Sequence, residues 1–493
     1  MKKNLKIYGV CVFISTIFLL ICSKNSPLYI MNDWVDANAF FTVGKSMMRG
    51  LIPYRDLFEQ KGPLLYLIYG IGSLISYNSF TGVFILEVIS FSIFLYYIEK
   101  IAALFMETKK SILTLPIITF GIVTLKSFSH GGSAEEFTLP LLAISGYYLI
   151  KYLKSDSSKM DSKELFINGF MAGMVLLIKY TLLGFHFGFM VIIFLYQLKD
   201  KKYKDAFISC LIFLLGMALP VLPWLIYFSL NNALYDFFNV YFIINIKSYP
   251  VKASIGAKII KTFTLLFKNI FKNYILFLGI VVGFIALFMK ENIFAKKYSK
   301  LALLLCLLTT GIFIYIGGTN FHYYSLPLSI FIIIGISLLL KIYPFKIKWY
   351  TYFFVLSILI PLTFKLSSNT LMLKKKNSDY AQIIFSDIIK QNNDKSLLNY
   401  GFLDGGFYLE AEVIPKYYYF MKNNIPYKNY PEMMDEQDRY VDEAKVNFII
   451  VKNTISKKRI DKIRKNYHEI KRHTQTNNLN QTTTYILYQK NKS

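Results

Sequence analysis

Residues 206–230 read AFISCLIFLLGMALPVLPWLIYFSL and carry no charged side chain. A helix needs about 20 mostly apolar residues to cross the hydrocarbon core of a bilayer, so this stretch reads as a membrane span. Working outward, runs of the same kind recur at 7–22, 80–105, 111–128, 134–152, 165–180, 181–198, 273–289, 301–317, 325–341 and 349–366. The whole chain follows suit. Of its residues 54% are hydrophobic and 17% charged, against about 45–50% and about 25% in soluble domains. The predicted fold class is an all-α polytopic membrane protein, with roughly 11–13 transmembrane helices at that span length.

The formal net charge is +26, from 56 basic and 30 acidic residues. In a soluble chain this excess would suggest nucleic acid. Here much of it sits in short connectors between apolar runs, where lysines retained on the cytoplasmic side also meet anionic lipid. Membrane lipids, and no nucleic acid, are therefore the expected partners. Cys11, Cys22, Cys210 and Cys306 lie in or beside apolar runs with no CxxC spacing, which implies neither a disulfide framework nor a zinc site. The first apolar run ends Ile21-Cys22-Ser23-Lys24 without a small-x-small cleavage site and reads as an uncleaved first helix.

Lysine clusters set the orientation. Lys151, Lys154, Lys159 and Lys163 form one, and Lys199, Lys201, Lys202 and Lys204 a second. Lys290, Lys296, Lys297 and Lys300, then Lys341, Lys346 and Lys348, complete the set. All fall on the side of the N-terminus, taken as cytoplasm, provided the apolar stretch 62–78 lies along the membrane surface. The C-terminus is then extracytoplasmic. The outer segments are a first loop at about 23–79, short corners at 129–136, 179–182 and 318–324, and a long stretch at 231–272. That stretch carries Lys247, Lys252, Lys258 and Lys261, against the trend; it reads as an amphipathic interfacial segment or as a lid. From 367 the composition turns polar, and short apolar runs at 446–451 and 484–488 read as strands between helices at 375–391 and 456–472. Two domains follow: a membrane module over 1–366 and an extracytoplasmic α/β domain over 367–493. Within the latter, Asp404-Gly405-Gly406 suggests a tight turn after a strand.

The first loop is the most informative segment for chemistry. Apolar residues recur at helical spacing from Asp36 to Met48, and Gly50 and Pro53 end the helix. Asp36 sits in the first turn, where the positive helix end favours an anion; the plain alternative is an N-cap. Lys61 stands just before Pro63-Leu64 at the start of the 62–78 stretch. Lys179 lies inside an apolar run, where a charge costs a few kcal/mol and is functional by default unless it snorkels to the interface. Glu136 reads as a helix cap with Ser133 or as a functional acid, and His322 as part of an aromatic belt or as a ligand group. Glu87 lies within a span and needs a partner, while His130 and His186 read as structural.

An acid soon after the first span, Met48-Arg49-Gly50, Pro53-Tyr54 and Lys61-Gly62-Pro63-Leu64 together resemble the first outer loop of GT-C glycosyltransferases. The resemblance is to the family-39 group, which includes protein O-mannosyltransferases and the lipid A aminoarabinose transferase. Glu135-Glu136-Phe137-Thr138-Leu139-Pro140, Gly173 to Tyr180, and Phe321-His322-Tyr323-Tyr324-Ser325-Leu326-Pro327 resemble further segments of that family, in the family's order. The match covers about 30–340. Where many relatives have Asp-Glu, this chain has Asp36-Ala37.

The resemblance implies transfer of a sugar from a polyprenyl-phosphate donor to an envelope glycan, lipid or protein acceptor at the outer face, with inversion at the anomeric carbon. Such a reaction needs a carboxylate to take the acceptor proton and cations to hold the departing phosphate. Asp36 is the expected catalytic base. Lys61, Lys179, His322 and Arg55 are the expected phosphate partners, since lysine offers a point charge and arginine a fork. Glu135 and Glu136 are expected to position the acceptor or a metal, with pairing to one of these cations as the alternative for Glu136. No cofactor is implied beyond a divalent cation, Mg or Mn, that Asp36 and Glu136 would share. The rival functions are a lipid-linked glycan flippase or transporter and a polymerase or ligase with a diphosphate-linked donor. A transporter would spread charges along a path and often show internal symmetry; here the candidates cluster at one face and no repeat stands out.

Overall fold

A computed structural model describes residues 2–248, 255–342, 347–477 and 480–491. Lys252 and Lys346 of the charge pattern lie outside the described residues. The first helices are α1 (Lys2–Cys22), α2 (Val35–Met47), α3 (Pro63–Ile75), α4 (Thr81–Ala103), α5 (Thr108–Val123) and α6 (Ala134–Leu153). Then come α7 (Ser162–Lys179), α8 (Gly184–Lys199), α9 (Tyr203–Leu230), α10 (Ile255–Lys272), α11 (Tyr274–Met289) and α12 (Ser299–Tyr315). A ten-residue 3-10 helix, His322–Phe331, leads directly into α13 (Ile332–Ile342), and α14 (Trp349–Leu366) follows. Besides shorter turns of helix, the C-terminal part holds α15 (Ala381–Lys390), β1 (Leu397–Asn399), α16 (Glu432–Asp442), β2 (Phe448–Lys452), α17 (Lys457–Asn466), β3 (Tyr467–Thr476) and β4 (Thr482–Lys490).

The chain divides into two compact units. The first comprises Met1–Ser23, Glu87–Ile226 and Ala253–Ser367. Every apolar run read as a span has become helix. By length and composition six described helices can cross a membrane: α1, α4, α7 with the turn to Leu182, α9, His322–Lys341 and α14. The protein is a multi-pass membrane protein. Pro220 and Pro223 lie inside α9, tolerated because neighbouring groups in a spanning bundle re-satisfy the freed carbonyls. Helices α10 and α11 meet at 97°, so with α11 as a span, α10 runs in the plane of the interface. At 100° per residue Lys258, Lys261, Lys268 and Lys272 share one face of α10. Ile259, Ile260, Phe263, Phe267 and Phe271 share the opposite face and are exposed. That is the pattern of an interfacial helix, and it favours the interfacial reading of this segment.

The second unit comprises Lys24–Leu86, Tyr227–Lys252 and Ser368–Ser493. Its centre is the packing of α2 on α3. A Cβ on Gly44 would lie 2.5 Å from the Tyr66 carbonyl oxygen and 2.6 Å from the Gly70 nitrogen, so the glycine lets the two backbones touch. Phe40 meets Tyr69 edge-on at 5.5 Å, and Phe41 meets Phe80 at 4.9 Å. Helix α3 has 13 residues, a rise of only about 20 Å, in keeping with a stretch that does not cross. The sheet order is β1-β2-β4-β3, with β1 parallel to β2 and the other pairs antiparallel. Phe58 of the first loop is seated among Tyr418, Tyr419 and Tyr430 at 5.7, 5.2 and 5.6 Å.

Two expectations are corrected. The helix read over 456–472 ends at Asn466, and Tyr467–Thr476 is a strand along β4. Ile463, Tyr467 and Ile470 imitate a helical period, but the pairing with β4 decides the segment. Asp36 is not the N-cap of α2 either: Trp34 occupies that position, and no side chain caps the helix.

Candidate active site

In the first unit, the candidates gather around the N-terminus of α6. Ser133 is its N-cap and accepts from the Glu136 N–H at 3.0 Å, while a Glu136 carboxylate oxygen accepts from the Gly132 N–H at 2.7 Å. Glu136 thus takes part in the cap, and its carboxyl also interacts with that of Glu87. Glu87 finds its partner in Ser23, whose hydroxyl donates to it at 2.7 Å. Gly131 must be glycine here. Its φ is +77°, and a Cβ would sit 2.2 Å from Ser23 Oγ and 2.7 Å from Glu87 Oε1.

Glu135, 1% exposed, receives the Lys179 ammonium at 2.5 Å. Lys179 stands where α7 gives way to a 3-10 turn at Tyr180–Leu182, and its ammonium lies 3.6 Å from the centre of the Tyr324 ring. A carboxylate and an aromatic face both attract a cation, so the ammonium is held by charge and by the ring together. Two residues before Tyr324, His322 Nε2 meets His130 Nε2 at 3.2 Å. A hydrogen bond between two such nitrogens requires one to donate and the other to accept. The place of His130 opposite His322 depends on two distant corners meeting, which local sequence pattern does not encode.

In the second unit, Asp36 is half-buried in the first turn of α2. Lys61 follows a buried network in which Tyr66 bonds Glu59, and the Lys61 N–H donates to both at 2.9 Å. The Lys61 ammonium lies 5.4 Å from the Phe40 ring centre. Arg55 is exposed, and Asp56 holds its fork in bidentate fashion at 2.8 and 2.9 Å; service to a phosphate would first require release from Asp56. The Asp404-Gly405-Gly406 turn does more than shape a loop. Asp404 is fully buried and accepts from Thr42 Oγ1 at 2.7 Å, Gly406 N at 3.0 Å and Asn399 Nδ2 at 3.1 Å. It thereby ties α2 to the sheet. Burial is the largest influence on its carboxyl and raises its pKa despite these donors.

The structure thus brings together Glu135 with Lys179 beside Tyr324, and His322 with His130. Among the described residues no group of three or more His, Cys, Asp or Glu is arranged to hold a metal ion.

Residues 1–371 match the family model of the competence-induced protein Ccs4 N-terminal domain. The chain belongs to this family. The match takes in every described helix that is long and apolar enough to cross a membrane. No curated protein matches the sequence. Among solved structures, the Ccs4-family chain is similar to ArnT from Cupriavidus metallidurans bound to undecaprenyl phosphate. There the TM-score is 0.62 at 10% identity, over 98% of this chain and 97% of that one. The apo form of the same protein gives 0.59 at 8% identity, over 99% and 98%. At such identities the likeness establishes the fold: this Ccs4-family protein has the GT-C architecture expected from its motifs, with a small C-terminal sheet.

Proposed function

We propose that the protein is a glycosyltransferase that moves one sugar from a polyprenyl-phosphate carrier to an envelope glycan, lipid or protein acceptor at the outer face of the membrane. The observation that carries this reading is Lys179: a half-buried cation at a helix break, held by Glu135 and Tyr324, in a fold shared with a protein that binds undecaprenyl phosphate. A lipid-phosphate sugar is activated because phosphate leaves as an anion, and a desolvated cation stabilises the charge as it develops. Lys179 is assigned to that phosphate, with His322 and Lys61 as further partners and Arg55 as a partner once released from Asp56. Asp36 is the proposed base. It takes the hydroxyl proton as the acceptor oxygen bonds to the anomeric carbon and the bond from that carbon to the phosphate oxygen breaks, with inversion. Glu135 and Glu136 are assigned to holding Lys179 and to positioning the acceptor. A divalent cation, Mg or Mn, is proposed as the one cofactor, with chelation as its test.

The clustering of Lys179, His322 and the paired glutamates at one end of the helices supports an enzyme over a transporter. The test is release of polyprenyl phosphate from purified protein, offered matched hexose donors with one or two phosphates. Turnover restricted to the monophosphate donor supports the proposal. Turnover restricted to the diphosphate donor moves the protein to the polymerase or ligase class.

A further inference from the structure

The second unit contains a cavity of about 400 Å3 that the reaction scheme above does not use. Its wall includes Val35, Phe402, Lys422, Asn423, Asn424 and Lys452. Val35 opens helix α2, immediately before Asp36, and no side chain caps that helix end. The positive end of a 13-residue helix therefore faces the same space as two lysines. Lys452 is half-buried with its ammonium 5.3 Å from the Phe402 ring centre and 5.6 Å from that of Tyr485. Burial alone acts on it, lowering its affinity for a proton.

Asn423 supplies a second, independent sign. It is 3% exposed, and neither its amide nitrogen nor its amide oxygen has a hydrogen-bond partner. Leaving a buried polar group unsatisfied is costly, and such groups in folded proteins need an explanation. A carboxamide offers two donors and an acceptor, which suits a sugar hydroxyl. Together with the lysines and the helix end, it makes a site for a hydroxyl-bearing anion. The volume suits one or two sugar rings.

We propose that this cavity binds the anionic part of the acceptor, a sugar bearing a phosphate or a carboxylate, and holds it beside the first turn of α2. The acceptor role rests on the glycosyltransferase reading; the binding itself does not, and the test needs no donor.

Full-length protein in detergent is titrated with glucose 6-phosphate, glucuronate and glucose, and binding is followed by saturation-transfer NMR. At least one anionic sugar is expected to bind at least tenfold more tightly than glucose, and the better of the two tells phosphate from carboxylate. Asn423→Leu and Lys452→Met are each expected to remove that preference. Replacing an unsatisfied buried amide by an apolar group of similar size leaves thermal stability unchanged or higher; should either variant unfold, the other carries the test. Equal binding of glucose, no binding of any sugar, or a folded variant that keeps the preference overturns the proposal. Loss of glycosyl transfer with binding intact counts against the enzyme reading and leaves the site standing.

Discussion

Lys179→Met leaves Glu135, 1% exposed, without its cation. Removing one partner of a buried ion pair costs about 3–5 kcal/mol, because the remaining charge stays desolvated. Loss of the contact with the Tyr324 ring, 3.6 Å away, adds roughly 1–2 kcal/mol. Replacing both partners, as Lys179→Met with Glu135→Leu, removes the orphaned charge, and such replacements are often neutral or stabilising. The single variant is therefore expected to lose about 4–7 kcal/mol of stability and the double variant to regain most of it, a coupling of at least about 3 kcal/mol. Denaturant unfolding of the detergent-solubilised protein reads both. Turnover of a polyprenyl-phosphate hexose then separates structure from chemistry: the double variant is expected to be stable and inactive. A single variant within about 1 kcal/mol of wild type would refute the buried-pair argument. A double variant with normal turnover would reduce Lys179 to a structural part.

Lys45 is 2% exposed and lies 3.4 Å from the Tyr77 ring centre, and burial pushes its pKa down from 10.5 to about 8. The folded state then binds fewer protons than the unfolded one between pH 8 and 10.5, so this residue's contribution makes stability rise with pH across that window. Lys45→Met is expected to flatten that rise and to add up to about 3 kcal/mol at neutral pH; a variant with an unchanged pH profile in thermal unfolding would count against it. Asp404→Ala strands three donors, on Thr42, Asn399 and Gly406, at about 1–3 kcal/mol each. It is expected to lower stability by at least about 3 kcal/mol, with Asp404→Asn milder, as read by chemical denaturation.

Much of the architecture was legible because membrane insertion depends on local apolar length. Each of the eleven runs needed only its own residues to become helix. The same holds for α2, which its period, Gly50 and Pro53 delimit. The candidate site was legible only residue by residue. Lys179 was conspicuous because a charge in an apolar run stands out, whereas its partner could have been either of two adjacent glutamates. The choice of Glu135 for Lys179 and of Glu136 for the α6 cap follows from which face of that helix each occupies. Glu87 with Ser23, His130 with His322, and Asp404 with Thr42 are all contacts across long sequence separations, which period and propensity do not encode. Strand β3 was misread for a related reason: it is an edge strand with a mostly polar surface, so it lacks the alternation that marks a half-buried strand.

The central claim is tested most directly by sugar release from a panel of radiolabelled polyprenyl-phosphate hexoses, comparing wild type with Asp36→Asn. The account predicts turnover of at least one donor by wild type and its loss by at least about 100-fold in a variant that folds normally, the scale of a positioned general base. Undiminished turnover in Asp36→Asn would remove Asp36 from the mechanism, and no turnover of any donor by wild type would contradict the glycosyltransferase assignment itself.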